Sequence, residues 1–279
     1  MKGWILCDRS NHYEVEALLK QEGNLQAVYP GDLHFAVGGS MYYQGEAVKM
    51  PDLIIGAFQE EVTSYNLAVL RQLEFLGAYC VNPAEVIIRC NDKLLTSQIL
   101  HSRNIPVAVT ALYRKGMEID FIEQDFTFPL VVKVKAGAKG KGVVLVRDVQ
   151  ELRNVLEMSM VDELLIQEYI ASSRGRDIRV LTVGQEIVGC YMRSSTADFR
   201  SNIALGGSMT EQKVTSKIRD LALKTAEALG LRVGGIDLLL TEDGYVVGEA
   251  NAMPGFSALK GTDIAGTIIK KLYHLAQSN

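Results

Sequence analysis

The chain has 279 residues, of which 48% are hydrophobic, and its formal net charge at pH 7 is −4. A chain of this length can bury a large core and exceeds a typical single domain, so we expect two or three lobes. The acidic balance argues against a general nucleic-acid binder, because binding to a phosphate backbone depends on clustered lysine and arginine.

The sequence also predicts a cytoplasmic protein. Its first residues carry only a short apolar run, too little for a signal peptide, and no run approaches the roughly 20 apolar residues of a membrane span. The cysteines, which lie far apart without a C-x-x-C pair, are Cys7, Cys80, Cys90 and Cys190. Such spacing indicates buried reduced thiols, not zinc ligands or disulfides. We expect neither a membrane nor a nucleic acid as a partner.

Strand-like and helix-like segments alternate through the first ninety residues, which predicts a βαβ arrangement around a parallel sheet. The predicted strands span 4–7, 25–29 and 53–57, and the predicted helices span 13–21 and 63–76. No G-x-G-x-x-G sequence lies between a strand and a helix in this region. A nicotinamide-dependent oxidoreductase therefore loses its main support.

Lysines stand out in the next part of the chain. A helix predicted over 92–102 carries Lys93 near its start, where a solvated lysine is the more common explanation. The strand predicted over 128–135 is more specific, because alternation places Lys133 and Lys135 on one face and valines on the other.

A glycine-rich segment, 136–142, joins this strand to another one predicted at 143–146. Strands on both sides exclude a Walker A loop, which must open a helix. The composition fits a flap whose backbone N–H groups and lysines close over phosphates. An ordinary exposed hairpin turn fits it equally well.

Alternating elements continue toward the C-terminus. The predicted helices span 149–160, 215–229 and 264–276, and the predicted strands span 164–170, 178–183 and 186–192. Between the last strand and the following helix lies a polar loop, 193–207. Loops of this length without structure of their own are usually functional.

Residues 234–255 predict a hairpin that carries hard oxygen ligands. The turn at 242–244 suits a three-residue loop, and counting back from it places Asp237 opposite Glu249. Asn251 then lies on the same face as Glu249. Directly opposed carboxylates repel each other, and two carboxylates with one amide oxygen suit Mg²⁺. A solvent-facing hairpin with ordinary acids explains the segment equally well.

Eight short motifs, taken in order, resemble those of ATP-grasp ligases. They are Asp92-Lys93, the strand 129–134 with Lys133, the glycine flap 136–142, residues 167–170, Asp177-Ile-Arg179, residues 198–202, Gly235-Ile-Asp237 and residues 249–255. The whole chain is similar to the RimK-type α-L-glutamate ligase family of this superfamily. Each motif alone is weak, whereas eight in order over most of the chain are specific.

The resemblance implies a mixed α/β and α+β architecture, the ATP-grasp fold. An N-terminal Rossmann-like (pre-ATP-grasp) α/β domain, 1–90, would be followed by two α+β lobes that clasp ATP. The central lobe with the flap would span 91–168, and the C-terminal lobe with the magnesium site would span 169–279.

The resemblance also implies a role for individual residues. The implied contacts to ATP are Lys93 and Lys133 on the phosphates, Glu168 and Tyr169 on the adenine, Asp177 on the ribose, and Arg200, Ser201 and Asn202 on the phosphates or the reacting group. Gln167 is a further implied nucleotide-binding residue. The implied catalytic cations are Arg193 and Arg200. The implied ligands of two Mg²⁺ ions, for which Mn²⁺ is an alternative, are Asp237, Glu249 and Asn251.

The implied activity is that of an ATP-dependent carboxylate–amine ligase, which forms an amide or peptide bond through an acyl phosphate and releases ADP and phosphate. Such chemistry needs positioning and charge neutralisation more than a protein nucleophile. The implied partners are a small-molecule or peptide carboxylate and a glutamate-like amino acid, in a homodimer or homotetramer. The alternative is a catalytically silent nucleotide-binding regulatory subunit of the same fold.

Three positions depart from the family pattern. Ala204-Leu205 stand where relatives carry His-Arg, Met253 stands where a small residue is usual, and Gly56 stands where an arginine often lies near the acceptor. The loss of cations weakens the expectation of an acidic amino acid as the amine.

Overall fold

The computed structural model describes most of the chain: residues 2–9, 12–21, 24–58, 62–135, 142–196, 198–201, 207–257, 259 and 263–277. Most of the predicted glycine flap, together with Asn202 and the Ala204-Leu205 pair, lies outside these ranges. Within them, no helix combines the length and the apolar character that a membrane span requires.

The N-terminal part is built on a parallel sheet. Its elements are β1 Lys2–Cys7, α1 Tyr13–Leu19, β2 Asn24–Val28, β3 Leu33–Phe35, β4 Met41–Tyr43, β5 Glu46–Ala47, β6 Leu53–Ala57, α2 Ser64–Phe75 and β7 Tyr79–Val81. Strands β2, β1, β6 and β7 pair in parallel in that order, which confirms the predicted arrangement. The small antiparallel sheet β3-β4-β5 has strands of two or three residues, too short to give a sequence pattern.

Helix α2 shows how local signals fix an element. The backbone N–H of Asn66 donates to the Thr63 hydroxyl at 3.1 Å, which caps the first turn. Gly77 follows the last turn with a φ of +92°, a conformation that favours glycine. The predicted bounds, 63–76, exceed the observed ones only by the capping positions Thr63 and Leu76.

The central part is an antiparallel sheet with helices packed on one face. Its elements are α3 Ala84–Asn91, α4 Lys93–Ser102, β8 Thr110–Arg114, α5 Asp120–Asp125, β9 Leu130–Val134, β10 Val143–Val146, α6 Val149–Met158 and β11 Glu163–Glu168. The strand order is β10-β9-β11-β8. Val132 packs into the core with Ile122 and Leu152, so the alternation of β9 turns Lys133 to the opposite face. Strand β9 ends at Val134, one residue before the predicted end.

The C-terminal part contains a larger antiparallel sheet. Its elements are β12 Arg176–Val183, β13 Glu186–Ser194, β14 Ser208–Glu211, α7 Ser216–Leu229, β15 Val233–Leu240, β16 Tyr245–Asn251 and α8 Ile264–Gln277. The strand order is β14-β13-β12-β15-β16. The helix predicted at 215–229 is confirmed as α7, which ends at Gly230 with a φ of +79°.

The predicted polar loop at 193–207 begins two residues too early, and the strand β14 that follows it was not predicted. Strand β13 continues through Arg193 and Ser194, and these residues pair with Met209 and Ser208 of β14. The charge of Arg193 did not mark a loop, because its guanidinium is bound by Asp177 and Asp237.

The predicted pairing of Asp237 with Glu249 in the hairpin is confirmed, whereas the predicted length of the hairpin loop is wrong. Leu240 pairs with Tyr245, so the loop has four residues, 241–244, and not three. A four-residue loop alone would shift the ladder by one position. The register changes between Leu238 and Asp237, where Gly248 is an extra residue, and this β-bulge restores the pairing of Asp237 with Glu249.

The two faces of the C-terminal sheet have different partners. One face packs with α7, α3 and α4 in a core that includes Ile236 and Ala250. The other face shares a core with the N-terminal sheet, in which Leu181 of β12 joins Ile5 of β1 and Ile268 of α8. Charged residues occupy this second face farther along the strands, beyond the shared core. The predicted domain boundaries stay predictions.

Candidate active site

Acidic and basic side chains meet in register across the C-terminal sheet. Arg179 of β12 pairs with Asp237 of β15, and Asp237 pairs with Glu249 of β16. The Arg179 guanidinium binds the Asp237 carboxylate in a bidentate manner, with Nε to Oδ1 and Nη2 to Oδ2 both at 2.7 Å. Such fork-like pairs are strong and fix the orientation of both groups.

A second arginine extends this network. Arg193 donates from Nε to Asp177 Oδ1 at 2.7 Å and from Nη2 to Asp237 Oδ2 at 2.8 Å. The Ser201 hydroxyl donates to Asp177 Oδ2 at 2.5 Å. Arg193, Asp177, Asp237 and Ser201 are all buried. The predicted catalytic Arg193 therefore lies within a buried ion network in this structure.

The electrostatics of Asp237 follow from this network. Burial opposes its ionisation, but the attraction of Arg179 and Arg193 outweighs burial and holds the pKa of Asp237 below its usual value. Sequence reasoning took the opposed acids to need a metal ion. The structure supplies cations from the chain itself, because Lys93 Nζ also lies 3.4 Å from Glu249 Oε1.

The second lysine approaches the acids from the central sheet. Lys133 is buried, and its Nζ donates to Gln167 Oε1 at 2.9 Å. Gln167 Nε2 in turn donates to the Thr110 hydroxyl at 2.7 Å, which orients the amide. Burial lowers the pKa of Lys133 to about 8, with Glu249 opposing and Lys93 reinforcing the change. These charges act on one another, so the strand of the central sheet and the hairpin face the same site.

Lys135 is placed differently from Lys133. Its Nζ lies 3.4 Å from both Asp92 Oδ2 and Glu163 Oε2 at an exposed position. Asp92 first, and then Glu163, raises the pKa of Lys135. Asp92 also caps helix α4, because its Oδ1 accepts from the N–H of Leu94 at 3.0 Å. This cap sets the start of the helix that presents Lys93.

The strand end predicted to meet adenine lies beside the polar loop. The backbone N–H of Glu168 donates to Val109 at 2.9 Å, and the Tyr169 ring contacts the Phe199 ring edge-on at a centroid distance of 6.3 Å. Arg200 binds Asp198 through Nε at 2.9 Å and Nη2 at 2.6 Å. The Arg200 hydrogen bonds hold the pKa of Asp198 at about 2. The predicted nucleotide residue Asn202 lies outside the described residues.

The donor set fits a magnesium ion. Glu249 is partly exposed. Asn251 lies on the same face of β16, and its amide oxygen is the atom that could bind a metal ion, whereas its buried side-chain nitrogen, which has no hydrogen-bond partner, is a donor and could not. A carboxylate offers about four acceptor positions, and Arg179 and Arg193 use three of those of Asp237. The described residues contain no group of three or more His, Cys, Asp or Glu with metal-binding geometry. The set is therefore two carboxylates and an amide, hard ligands that suit Mg²⁺.

Arg179 lies within one of the family-like motifs, but the sequence predicted no role for it, and none for Thr110 or Asp198. Alternation in β12 places Arg179 on the same face as Asp177, so this signal was present. The partners of Thr110 and Asp198 depend on strand pairing and loop geometry, for which the sequence carried no comparable signal. In the described site the cations are lysines and arginines, and the predicted metal-binding oxygens come from the hairpin.

Two family models match the chain. A RimK-like ATP-grasp domain covers residues 90–272, and a RimK PreATP-grasp domain covers residues 1–87. The chain is 37% identical over 244 residues to a probable alpha-L-glutamate ligase of Xanthomonas campestris pv. campestris strain 8004. The matched region covers 85% of this chain and 84% of the relative.

Solved structures of low sequence identity share the fold. The ATP-grasp ligase PsnB, complexed with a phosphomimetic precursor variant, Mg and ADP, superposes with a TM-score of 0.74 at 16% identity over 100% of this chain and 99% of that chain. The D-alanine–D-alanine ligase of Bacillus anthracis complexed with ATP gives a TM-score of 0.73 at 20% identity over 99% and 97% of the chains. The predicted ATP-grasp fold, with its N-terminal pre-ATP-grasp domain, is confirmed.

Proposed function

The chain belongs to the RimK-like ATP-grasp family, an ATP-dependent carboxylate–amine ligase family, and from this premise we propose that it forms an amide or peptide bond through an acyl phosphate. The proposed reaction transfers the γ-phosphoryl group of ATP to a carboxylate. An amine then attacks the activated carbonyl, and inorganic phosphate leaves. ADP is the other product.

The observation that carries this proposal is the meeting of Lys93 with Glu249, at 3.4 Å, next to buried Lys133. The two lysines belong to the central part, and the glutamate belongs to the C-terminal hairpin. Cations suited to phosphates therefore face oxygen donors suited to a divalent ion across one cleft. Phosphoryl transfer requires this combination, because its catalysis rests on positioning and charge neutralisation.

In the proposed mechanism the chain's own residues bind and orient the reactants. Lys133, held by Gln167, and Lys93 would bind phosphate oxygens, while Glu249, Asn251 and the remaining acceptor position of Asp237 would hold Mg²⁺. When bound, the ion neutralises charge that develops on the transferring group. We propose two such ions, for which Mn²⁺ can substitute.

The remaining nucleotide contacts come from the strand end at Glu168 and from the loop that contains Arg200. We propose that Glu168 and Tyr169 meet the adenine, and that Arg200, with the backbone near Ser201, meets the phosphates. Asp177 is assigned to the ribose on the family pattern, although its carboxylate is bound by Arg193 and Ser201 in this structure. Release of one of these contacts would accompany ribose binding.

We propose a glutamate-like amino acid and a carboxylate acceptor as the substrates, because the curated relative is named an alpha-L-glutamate ligase. The precursor-bound ligase PsnB supports a peptide as one acceptor class. Two of the sequence departures bear little on this choice. Gly56 faces Ile87 inside the N-terminal core, and Met253 packs against the core shared by the two parts.

A direct experiment measures ADP release with ATP and Mg²⁺ against a panel of amino acids and small or peptide carboxylates, with mass spectrometry of the products. The proposal expects ADP release only when both substrates are present, and a product heavier than the acceptor by the amino acid minus water. The Glu249→Gln variant should lose this turnover, whereas the Glu242→Gln variant, changed in the turn of the same hairpin, should keep it. Full turnover in Glu249→Gln contradicts the proposal.

A silent regulatory subunit is the second candidate, and the occupied Asp237 carboxylate favours it. If both arginines stay on Asp237 when nucleotide binds, the site binds ATP without consuming it. This candidate expects nucleotide binding by calorimetry and no ADP release with any member of the panel. Any substrate-dependent ADP release removes it.

A further inference from the structure

The hairpin that carries the acids has two registers available to it. From the turn, Leu238 pairs with Val247, and beyond the extra residue Gly248 the pairing resumes with Asp237 opposite Glu249. An uninterrupted ladder would instead place Glu249 opposite Ile236. A shift of one residue turns every following side chain to the other face of the sheet.

The consequence of the uninterrupted register would be severe. Ile236 packs in the apolar core against α7, so a glutamate opposite it would point its carboxylate toward that core. Asn251 would leave the site by the same rotation. Burial of an unpaired carboxylate is costly, which disfavours the uninterrupted register. A strand whose far end is not held can still slip between the two registers or fray at that end. Something beyond the turn must hold the far end of the hairpin.

Asn82, which follows β7 in the N-terminal part, holds that end. It is fully buried, and its Nδ2 donates to the carbonyl of Ala252 at 2.5 Å and to the carbonyl of Val233 at 2.8 Å. Its Oδ1 accepts from the N–H of Arg232 at 2.7 Å and from the N–H of Val233 at 3.2 Å. One amide thus joins the residue after β16 to the first residue of β15.

We propose that Asn82 is a positioning residue that sets the register of the β15–β16 hairpin and thereby places Glu249 and Asn251 opposite Asp237. The inference rests on the proposed function only where those residues are taken as magnesium ligands. Next to these contacts Gly235 pairs with Asn251, and at the turn Leu240 pairs with Tyr245, so the stretch 245–251 is one residue longer than the stretch 235–240. The extra residue is Gly248, and it becomes the bulge.

Other contacts agree with a hairpin fixed on both sides of the bulge. On the turn side, the N–H of Val247 donates to the carbonyl of Pro106 at 2.8 Å. On the Asn82 side, a Cβ at Gly235 would lie 2.5 Å from Pro254 Cβ, so the segment after β16 packs tightly on β15. At the bulge, a Cβ on Gly248 would lie 2.9 Å from Leu239 Cγ. The bulge position therefore accepts glycine and resists larger residues.

The chemistry of the side chain explains why an amide is required. Asn82 uses two donors and one acceptor at once, and alanine supplies neither. Aspartate keeps the acceptor for the N–H groups but places a carboxylate oxygen against two carbonyls. Both substitutions should release Ala252, and Asn82→Asp should do so at least as strongly as Asn82→Ala.

The first test reads the register directly by NMR on the full chain with methyl-labelled isoleucine and alanine. Ile236 and Ala250 are cross-strand partners on one face, with Cβ atoms expected about 5 Å apart, so the native register gives a strong methyl–methyl NOE between them. This cross-peak should weaken or be lost in Asn82→Ala. The matched control is Thr182→Val, which removes a buried hydroxyl contact of 3.5 Å to the neighbouring Gly234 carbonyl and should keep the cross-peak.

The second test restores the register without Asn82. Deletion of Gly248 makes the regular ladder place Glu249 opposite Asp237, so this deletion should recover the Ile236–Ala250 cross-peak in the Asn82→Ala background. Recovery supports the inference even if Asn82→Ala alone does not fold. A folded Asn82→Ala protein with an unchanged cross-peak, or a double variant without recovery, overturns it.

The third test concerns metal affinity, measured by calorimetric titration of Mg²⁺ into protein saturated with a non-hydrolysable ATP analogue. Loss of an outer partner of metal ligands costs about 10–100-fold in affinity, and we expect a loss of this size for Asn82→Ala and recovery on deletion of Gly248. Unchanged magnesium affinity with a changed NOE would limit the role of Asn82 to structure and overturn its positioning role. The NMR result does not depend on turnover, so it separates this inference from the proposed ligase activity.

Discussion

Strand β9 of the central sheet and strand β16 of the C-terminal hairpin both deliver charged groups to the site, but by different means. In β9, regular alternation turns Lys133 away from the core residue Val132, and no tertiary contact is needed to choose the face. In β16, regular alternation from the turn would direct Glu249 into the core, and the extra residue Gly248 corrects it. A regular strand can be interpreted from its sequence, whereas a bulged strand depends on what holds its ends.

The largest difference in stability is expected between the buried ion network of Asp237 and the more exposed ion pair of Asp198 with Arg200. Asp237→Asn leaves Arg179 and Arg193 without their shared carboxylate charge in a buried place, and breaking such a pair costs about 3–5 kcal/mol. We expect the free energy of unfolding, measured in urea, to fall by that amount. Asp198→Asn removes the carboxylate charge from a pair that is 24% exposed on both sides, and should cost at most about 1 kcal/mol. Equal losses would mean that the Asp237 network contributes no more than a surface pair.

In the central sheet, we expect substitution of Lys133 to have its largest effect on kcat. Lys133→Met removes the buried cation that is proposed to bind phosphate, and loss of one such group costs about 10²–10³ in kcat. The measurement is initial-rate ADP release with saturating substrates. Lys135→Met is the control, because Lys135 lies at an exposed position with Asp92 and Glu163. A similar loss in both variants would remove the distinction between the two lysines.

The bulge itself should resist a side chain. Gly248→Val places a Cβ about where Leu239 packs, and overpacking of this kind costs about 1–3 kcal/mol. In the turn of the same hairpin a Cβ on Gly244 meets nothing within 4 Å, so Gly244→Ala should change the free energy of unfolding much less. Chemical denaturation of both variants tests this difference. Equal stability would show that the bulge has room to adjust.

The smallest expected effect is a pH dependence of the affinity for an ATP analogue, which arises from Lys133 in the central sheet. Burial lowers the pKa of Lys133 to about 8, so in the free protein it loses its proton above that pH. Phosphate binding needs the ammonium form, and affinity for an ATP analogue should fall up to about tenfold per pH unit above 8. Calorimetry at pH 8.5 in buffers of different ionisation enthalpy should show proton uptake on binding. Lys133→Met should abolish the uptake.

The same pKa has a consequence for stability. An unfolded lysine titrates near its ordinary value of 10.5, so between about 8 and 10.5 the unfolded chain binds more protons than the folded one. The contribution of Lys133 to the free energy of unfolding therefore rises with pH through that window. Urea denaturation of the wild type and Lys133→Met at pH 7.5 and 9.5 measures this contribution, and a difference that falls with pH contradicts the sign.

Much of the fold and the membership of the site followed from local signals. The apolar period and the caps located α2 and α7, and alternation placed Lys133 on the correct face. The strand β14 was not predicted. Arg193 was predicted as a site residue, but its ion pairs with Asp177 and Asp237 were not, because those partners are recognisable only in the folded structure.

The amino-acid sequence alone specifies which chemical groups the site can use and their order along the chain: lysines on a regular strand come first, and two acids and an amide on a hairpin follow. Only the tertiary structure decided how these groups are paired, since Arg179 and Arg193 neutralise Asp237 where a metal ion alone had been expected. It also decided the register, because alternation is a local property while the position of a bulge depends on contacts from outside the hairpin. Asn82 makes those contacts from a part of the chain about 150 residues away.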